Sequence, residues 1–281
     1  MRKYTKKVNY IVPLLLIVVT VLFHSVCGLK QSSEIKNKII KKIPFEVNQA
    51  VAVDKKYYYA ISNIKIVKCD KKTNKVIATW EADTTEKKYK HFHHLNSGTV
   101  IDGKLYCAHS RYDIDPNDNT VEIWNVEGKL LEHEQTIHMP RKYGSLTWID
   151  QHPDGTWWMC YAVYGEGENH KTKLVKYQYL NNKFVEVENW GFPKEVVNNW
   201  EDMSCSGGSW GPDGLLYTTG HDYPRAYVLR IDDTNNLSLV RIEKEVGFFG
   251  QGIAWDRYSK KPILWGIERN KNITQTYIPQ K

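Results

Sequence analysis

The residues with the clearest chemical potential are histidines that stand beside acids, amides or an arginine. His91, His93 and His94 crowd the approach to "LNSGTVID", and His109 ends "KLYCAHS". His221 is followed by Asp222 in "LLYTTGHD", and Glu268 by Arg269 in "ILWGIER". An imidazole oriented by a carboxylate is a general acid–base pair, and an arginine fork beside it binds a carboxylate or another anion. His109, His221, Asp222 and Glu268 are therefore the candidate catalytic groups. His94, Asn96, Ser97, Ser145, Ser206, Gln251 and Arg269 are the candidate ligand-binding groups. Isomerase, lyase or lactone chemistry on a polar or anionic small molecule fits this set. A site that binds a carbohydrate or small anion without turnover fits it as well, and a protein-interaction scaffold is a third class. His94, His109, His221 and Glu268 could hold a divalent metal, but they lack the short H-x-H or H-x-x-x-H spacing, so no metal is assigned. No nucleophile elbow or P-loop is present, and no cofactor is implied.

Such groups act together only if the fold brings them to one place, and repeats in the chain indicate how. "NQAVAVD" (48–54), "NSGTVID" (96–102) and "GSLTWID" (144–150) follow at steps of 48 residues, with looser copies in "SGGSWGPD" and "GQGIAWD". An aromatic-rich strand follows each: "YYYAIS", "KLYCAHS", "WWMCYAVY", "LLYTTGHD" and "ILWGIER". Third strands read as "IKIVKCD", "TVEIWNV", "LVKYQYL", "YVLRIDD" and "ITQTYIP". Fourth strands read as "KVIATW", "KLLEHEQTI", "KFVEVENW" and "LSLVRIE", and the fifth repeat has none of its own. Four-stranded repeats of this length predict an all-β fold, a single five-bladed β-propeller. A ring must close to bury its edges, so "NKIIKKIPF", Asn37 to Phe45, is expected to supply the missing strand. An open β-sandwich is the alternative.

Propeller geometry sorts the motifs by face. Starts of first strands, ends of second strands and inter-blade linkers share one mouth of the channel, which is where the histidines, Asn96, Ser97, Ser145, Ser206, Gln251 and Arg269 fall. Asp102-Gly103, Asp154-Gly155 and Asp213-Gly214 lie at the opposite mouth and read as tight-turn dipeptides. Trp148, Trp157, Trp158, Trp210 and Trp255 read as inter-blade packing.

"HLNSGTVIDGKLYCAHSRY", "SGGSWGPDGLLYTTGHD" and "GQGIAWDR" with "LWGIER" resemble a family of secreted β-propeller-like proteins, over about His91 to Arg269. That family is sometimes labelled cycloisomerase by analogy with propeller-type muconate cyclases. The resemblance implies the fold and export. The sequence departs from the family pattern at Val163, where a histidine is expected, and at Cys205, where a plain polar residue is usual.

At the N-terminus Arg2, Lys3, Lys6 and Lys7 precede an apolar run from Ile11 to Phe23, with Cys27 and Gly28 following. This is the layout of a signal peptide over residues 1–28, ahead of a propeller domain over 29–281. The run is shorter than the ~20 residues of a spanning helix, so a secreted or extracytoplasmic protein with no membrane attachment after processing is expected. Without the four leader cations the formal charge falls from +7 to +3. The remaining charges are interleaved rather than clustered, which argues against a nucleic-acid partner, and a monomer is expected. Cys69, Cys107, Cys160 and Cys205 match no zinc spacing, and either disulfides or buried thiols are compatible with them.

Overall fold

The computed structural model describes residues 36–280; the candidate leader lies outside them. Among the described residues no helix is long and apolar enough to cross a membrane. The chain forms five antiparallel four-stranded sheets. The first strand among the described residues, β1 (Lys38–Pro44), joins the last sheet rather than the first. Blade one is β2 (Ala50–Val53), β3 (Tyr57–Ser62), β4 (Lys65–Asp70) and β5 (Val76–Glu81). Blade two is β6 (His94–Ile101), β7 (Lys104–Arg111), β8 (Asp115–Asn125) and β9 (Glu132–His138). Blade three is β10 (Ser145–Gln151), β11 (Trp157–Ala162), β12 (Lys173–Leu180) and β13 (Lys183–Gly191). Blade four is β14 (Gly207–Trp210), β15 (Leu216–Thr219), β16 (Arg225–Ile231) and β17 (Leu237–Lys244). The fifth blade is β18 (Ala254–Trp255), β19 (Ile263–Glu268) and β20 (Asn272–Tyr277), completed by β1.

β1 lies antiparallel to β20, with Ile43 opposite Ile273. The closing strand expected from the missing fourth strand is therefore present, and the fold is a five-bladed propeller. Each inner strand also neighbours the next around the ring, the last (β18) meeting the first (β2).

The core is divided among five blade–blade interfaces, each with its own apolar cluster. This follows from strand periodicity: alternate side chains leave opposite faces of a sheet, and both faces of a propeller blade are covered. In β7, Leu105 and Cys107 pack toward blade one, while Tyr106 and Ala108 pack toward blade three. Trp148, Trp158 and Trp210 pack together between blades three and four, Trp157 between blades two and three, and Trp255 between blades four and five. Cys69, Cys107, Cys160 and Cys205 are buried free thiols.

The turn at Asp102-Gly103 has φ of 47° and 74°, a hairpin turn with two left-handed residues. A short helix, α1 (Lys194–Asn198), sits between blades three and four, where the sequence carries too few residues to show a helical period. β8 begins at Asp115, five residues before the strand visible as "TVEIWNV"; its first residues run through an Asp- and Asn-rich segment whose composition resembles a loop.

Candidate functional site

One mouth of the channel opens into a cavity of about 850 Å³. Its walls contain seven of the residues singled out from sequence: His94, Asn96, Ser145, Ser206, His221, Gln251 and Arg269. They come from blades two, three, four and five, and blade one adds Asn48, Gln49 and Asn63.

Local irregularities aim several of these side chains inward. The β6–β7 register slips between Leu95 and Gly98, and the β10–β11 register slips between Leu146 and Trp148. These are bulges, which turn side chains out of the regular pleat, and they fall at Asn96-Ser97 and at Thr147. Asn96 Nδ2 donates to the Leu146 carbonyl at 2.9 Å and to Ser110 Oγ at 3.2 Å, tying blade two to blade three. Gln251 has φ of 61°, a left-handed backbone that a glutamine rarely adopts.

The floor is unusual in its hydrogen bonding. Ser145 Oγ, Ser206 Oγ and Gln251 Nε2 are buried and have no partner among the described residues, and the same is true of Asn48 Oδ1. Ser97 Oγ is equally unpaired but lies behind the wall, against Gly252. A buried polar group without a partner costs about 1–3 kcal/mol, and the floor gathers four such atoms: two hydroxyls, an amide donor and an amide acceptor.

At the rim, His221 Nδ1 is 2.6 Å from Asp222 Oδ1, and Arg269 Nη2 is 3.2 Å from His221 Nε2. An arginine only donates, so Nε2 accepts and the proton sits on Nδ1, pointing at Asp222. His94 packs against Tyr112 with ring centroids 4.7 Å apart. Burial, reinforced by the neighbouring His93 and Arg269, lowers its imidazole to about 4, so His94 is neutral near pH 7. Desolvation raises the Tyr164 phenol well above its usual range, and it keeps its proton. Among the described residues Arg269 is the one permanently charged side chain on the walls, and no carboxylate lines them.

Besides Ser97, three of the sequence candidates take up other positions. His109 is buried: its Nε2 accepts from the His93 backbone N–H at 3.0 Å and its Nδ1 donates to Thr120 Oγ1 at 2.9 Å. Desolvation lowers it to about 3. Glu268 turns outward to Lys271, Asn272 and Lys42 rather than toward His221. Asp222 is exposed and reaches the cavity only through His221. The four-residue metal set therefore does not assemble, and among the described residues no group of three His, Cys, Asp or Glu side chains is placed to hold a metal ion.

His91 also belongs to the scaffold. It and His133 bond to opposite oxygens of the fully buried Glu122, at 2.9 and 2.8 Å, joined by Thr120 and Thr136. Burial alone would raise this carboxyl, but the bonds from His133, His91 and Thr120 hold it well below the carboxylate range.

Tyr112, Tyr164, Asn63, Asn117 and Asn270 line the cavity without having stood out in the sequence. Tyr112 and Tyr164 lie just past the ends of second strands, the same position as His221, so the strand-end rule extends to them.

No family model matches this sequence, and no curated protein matches it. Solved structures similar to it include a chain of the mitotic checkpoint complex, at 11% identity over 82% of this chain and 61% of that one, with a TM-score of 0.44. The Cps50 (Swd1) β-propeller domain of Myceliophteria thermophila is 11% identical over 80% of this chain and 68% of its own, with a TM-score of 0.42. A putative oxidoreductase (glucose dehydrogenase) of Thermus thermophilus is 11% identical over 86% and 99% respectively, with a TM-score of 0.48. These are likenesses of fold alone, and the count of five blades stands on the sheets of this chain.

Proposed function

We propose that this is an exported propeller whose cavity binds a hydroxyl-rich organic anion of the sugar-acid type, and that His221 is the general base in an isomerisation or elimination on it. The observation that carries the reading is the floor of unpartnered buried groups, Ser145 Oγ, Ser206 Oγ, Gln251 Nε2 and Asn48 Oδ1, beneath a rim whose fixed charge is Arg269. Hydroxyls both donate and accept, so a polyhydroxylated ligand suits a floor that mixes hydroxyls, an amide donor and an amide acceptor. The arginine suits a carboxylate bidentately.

The chemistry follows from the same groups. Arg269 draws away from His221 Nε2 to pair with the ligand carboxylate, which bares the lone pair. Nε2 then removes the proton from the carbon next to that carboxylate, and Asp222 steadies the resulting imidazolium through Nδ1–H. The electron pair passes into the carboxylate held by Arg269. A proton delivered from solvent to the opposite face of that carbon inverts it, which is isomerisation; alternatively the electron pair forms a carbon–carbon double bond as the neighbouring hydroxyl, protonated by Tyr164 O–H, leaves as water, which is elimination. With no carboxylate among the described wall residues, a two-carboxylate glycoside hydrolysis has no candidate pair there.

Calorimetric titration of aldonic and uronic acids against their neutral parent sugars tests the binding half. Acids should bind and Arg269→Gln should weaken them at least about tenfold; equal binding of neutral sugars removes the anion assignment. NMR in deuterated water tests the chemistry: exchange of the proton next to the carboxylate should vanish in His221→Asn while affinity is retained. The contact between Arg269 and His221 Nε2 favours a second reading, a binding module, and binding without exchange in the unmodified protein would select it.

A further inference from the structure

Beside the main cavity a second hollow of about 450 Å³ opens along the junction of the closing blade and blade one. Asn48 and Asn270 line both. The main cavity is near the upper end of the ~300–1,000 Å³ typical of small-ligand sites, so the adjoining hollow provides room beyond one compact ligand. Its walls are Phe45, Glu46, Ala60, Ser62, Lys65 and Val67. Phe45 is half-buried and braced edge-on against Tyr58, with centroids 6.4 Å apart, which fixes the ring as part of the wall. Glu46 and Lys65 bring one charge of each sign, unlike the main cavity with its single cation.

Asn48 is the hinge between the two spaces. Its Oδ1 is buried without a partner, although the residue as a whole is half-buried on the shared wall. Asn270 shares that wall with φ of 58°, and its backbone N–H is held by the Val47 carbonyl at 2.8 Å, so the wall between the spaces is anchored to blade one. The Asn48 amide, on the wall where the two spaces meet, suits a hydroxyl at the junction of two linked units.

Resting on the sugar-acid reading above, we infer that the site takes a two-unit or longer acidic saccharide. The uronic acid unit lies in the main cavity against Arg269. A neutral unit occupies the hollow lined by Phe45, Ser62 and Lys65, with the Asn48 amide meeting a hydroxyl between them. Phe45 offers an apolar surface for the C–H face of that neutral ring, and Ser62 offers a hydroxyl partner to its edge.

The test compares glucuronic acid with an aldobiouronic acid, in which the uronic acid is linked to a neutral hexose, by calorimetry. In the unmodified protein the disaccharide should bind at least about tenfold tighter than the monosaccharide. Ser62→Trp fills the hollow and should reduce that gain below about twofold while leaving glucuronic acid binding unchanged. Lys65→Trp, at the half-exposed position directly across the β3–β4 ladder from Ser62, fills the same hollow and serves where the first variant melts early. Equal affinity of the two saccharides, or a gain that survives both substitutions, overturns the second subsite while leaving the main site standing. Failure of both saccharides to bind removes the sugar-acid reading itself, and the subsite with it.

Discussion

Replacing His109 by leucine separates scaffold from site most sharply. The side chain is buried, and it links the His93 backbone N–H to Thr120, which in turn donates to Glu122 at 2.6 Å. Leucine keeps most of the volume but leaves the His93 N–H unpaired in the interface between blades one and two, and Thr120 Oγ1 loses the bond it accepts while keeping the one it donates to Glu122. One stranded donor at ~1–3 kcal/mol and one lost hydrogen bond at about 1 kcal/mol give an expected loss of about 2–4 kcal/mol at pH 7.5. That is a drop in Tm of about 5–15 °C for a domain of this size. The pH dependence provides a second readout. The folded value near 3 lies below the ordinary value of 6.5, so the unfolded chain takes up a proton that the folded chain refuses. The stability tied to neutral His109 is fully present above pH ~6.5 and is lost as pH falls toward 3, at about 1.4 kcal/mol per unit. Between pH ~7.5 and ~4.5 the unmodified protein loses about 2–3 kcal/mol through this residue, and His109→Leu has no such loss to suffer. Urea unfolding at intervals across that range should therefore show the gap between the two proteins nearly closing at the acid end. A gap that stays constant with pH, or a variant of unchanged stability that no longer binds ligand, would refute the scaffold role and return His109 to the site.

Starting the chain at Glu46 removes β1 and uncovers both the edge of β20 and the face that packs on Ile43. Aggregation on gel filtration or a fall in melting temperature is expected, and a monomer with unchanged melting would show that β1 does not hold the ring closed. Gly252→Ala places a methyl 2.3 Å from the Ala50 Cβ and 2.7 Å from Ser97 Oγ, where inner strands of blades five, one and two meet. A loss above about 3 kcal/mol in urea unfolding is expected, and wild-type stability would contradict the close approach around the axis. If the leader is processed as its charge and apolar pattern suggest, N-terminal sequencing of exported protein should begin near Gly28 or Leu29, and recovery of Met1 would favour an anchor.

The order of the blades, the closing strand and the division of motifs between two mouths were all legible in the chain. They depend on a repeat of about four strands and on turn dipeptides such as Asp102-Gly103, both of which are local patterns. Strand ends were legible too, because a second strand must finish at the same mouth in every blade. What strand ends alone did not distinguish was His109 from His221. His109 lies within the pleat of β7, where alternation sends it, with Leu105 and Cys107, into the interface with blade one beside Phe92. His221 lies beyond the end of β15, outside any ladder, and is free to turn to the cavity. The separation of Glu268 from His221 was equally hidden, since the partners that capture it, Lys42 and Lys271, include one brought from the other end of the chain by ring closure. The unpartnered floor could not be read from sequence at all: whether Ser145 Oγ or Gln251 Nε2 finds a partner depends on which backbones crowd the axis. Only the assembled ring of five inner strands decides that.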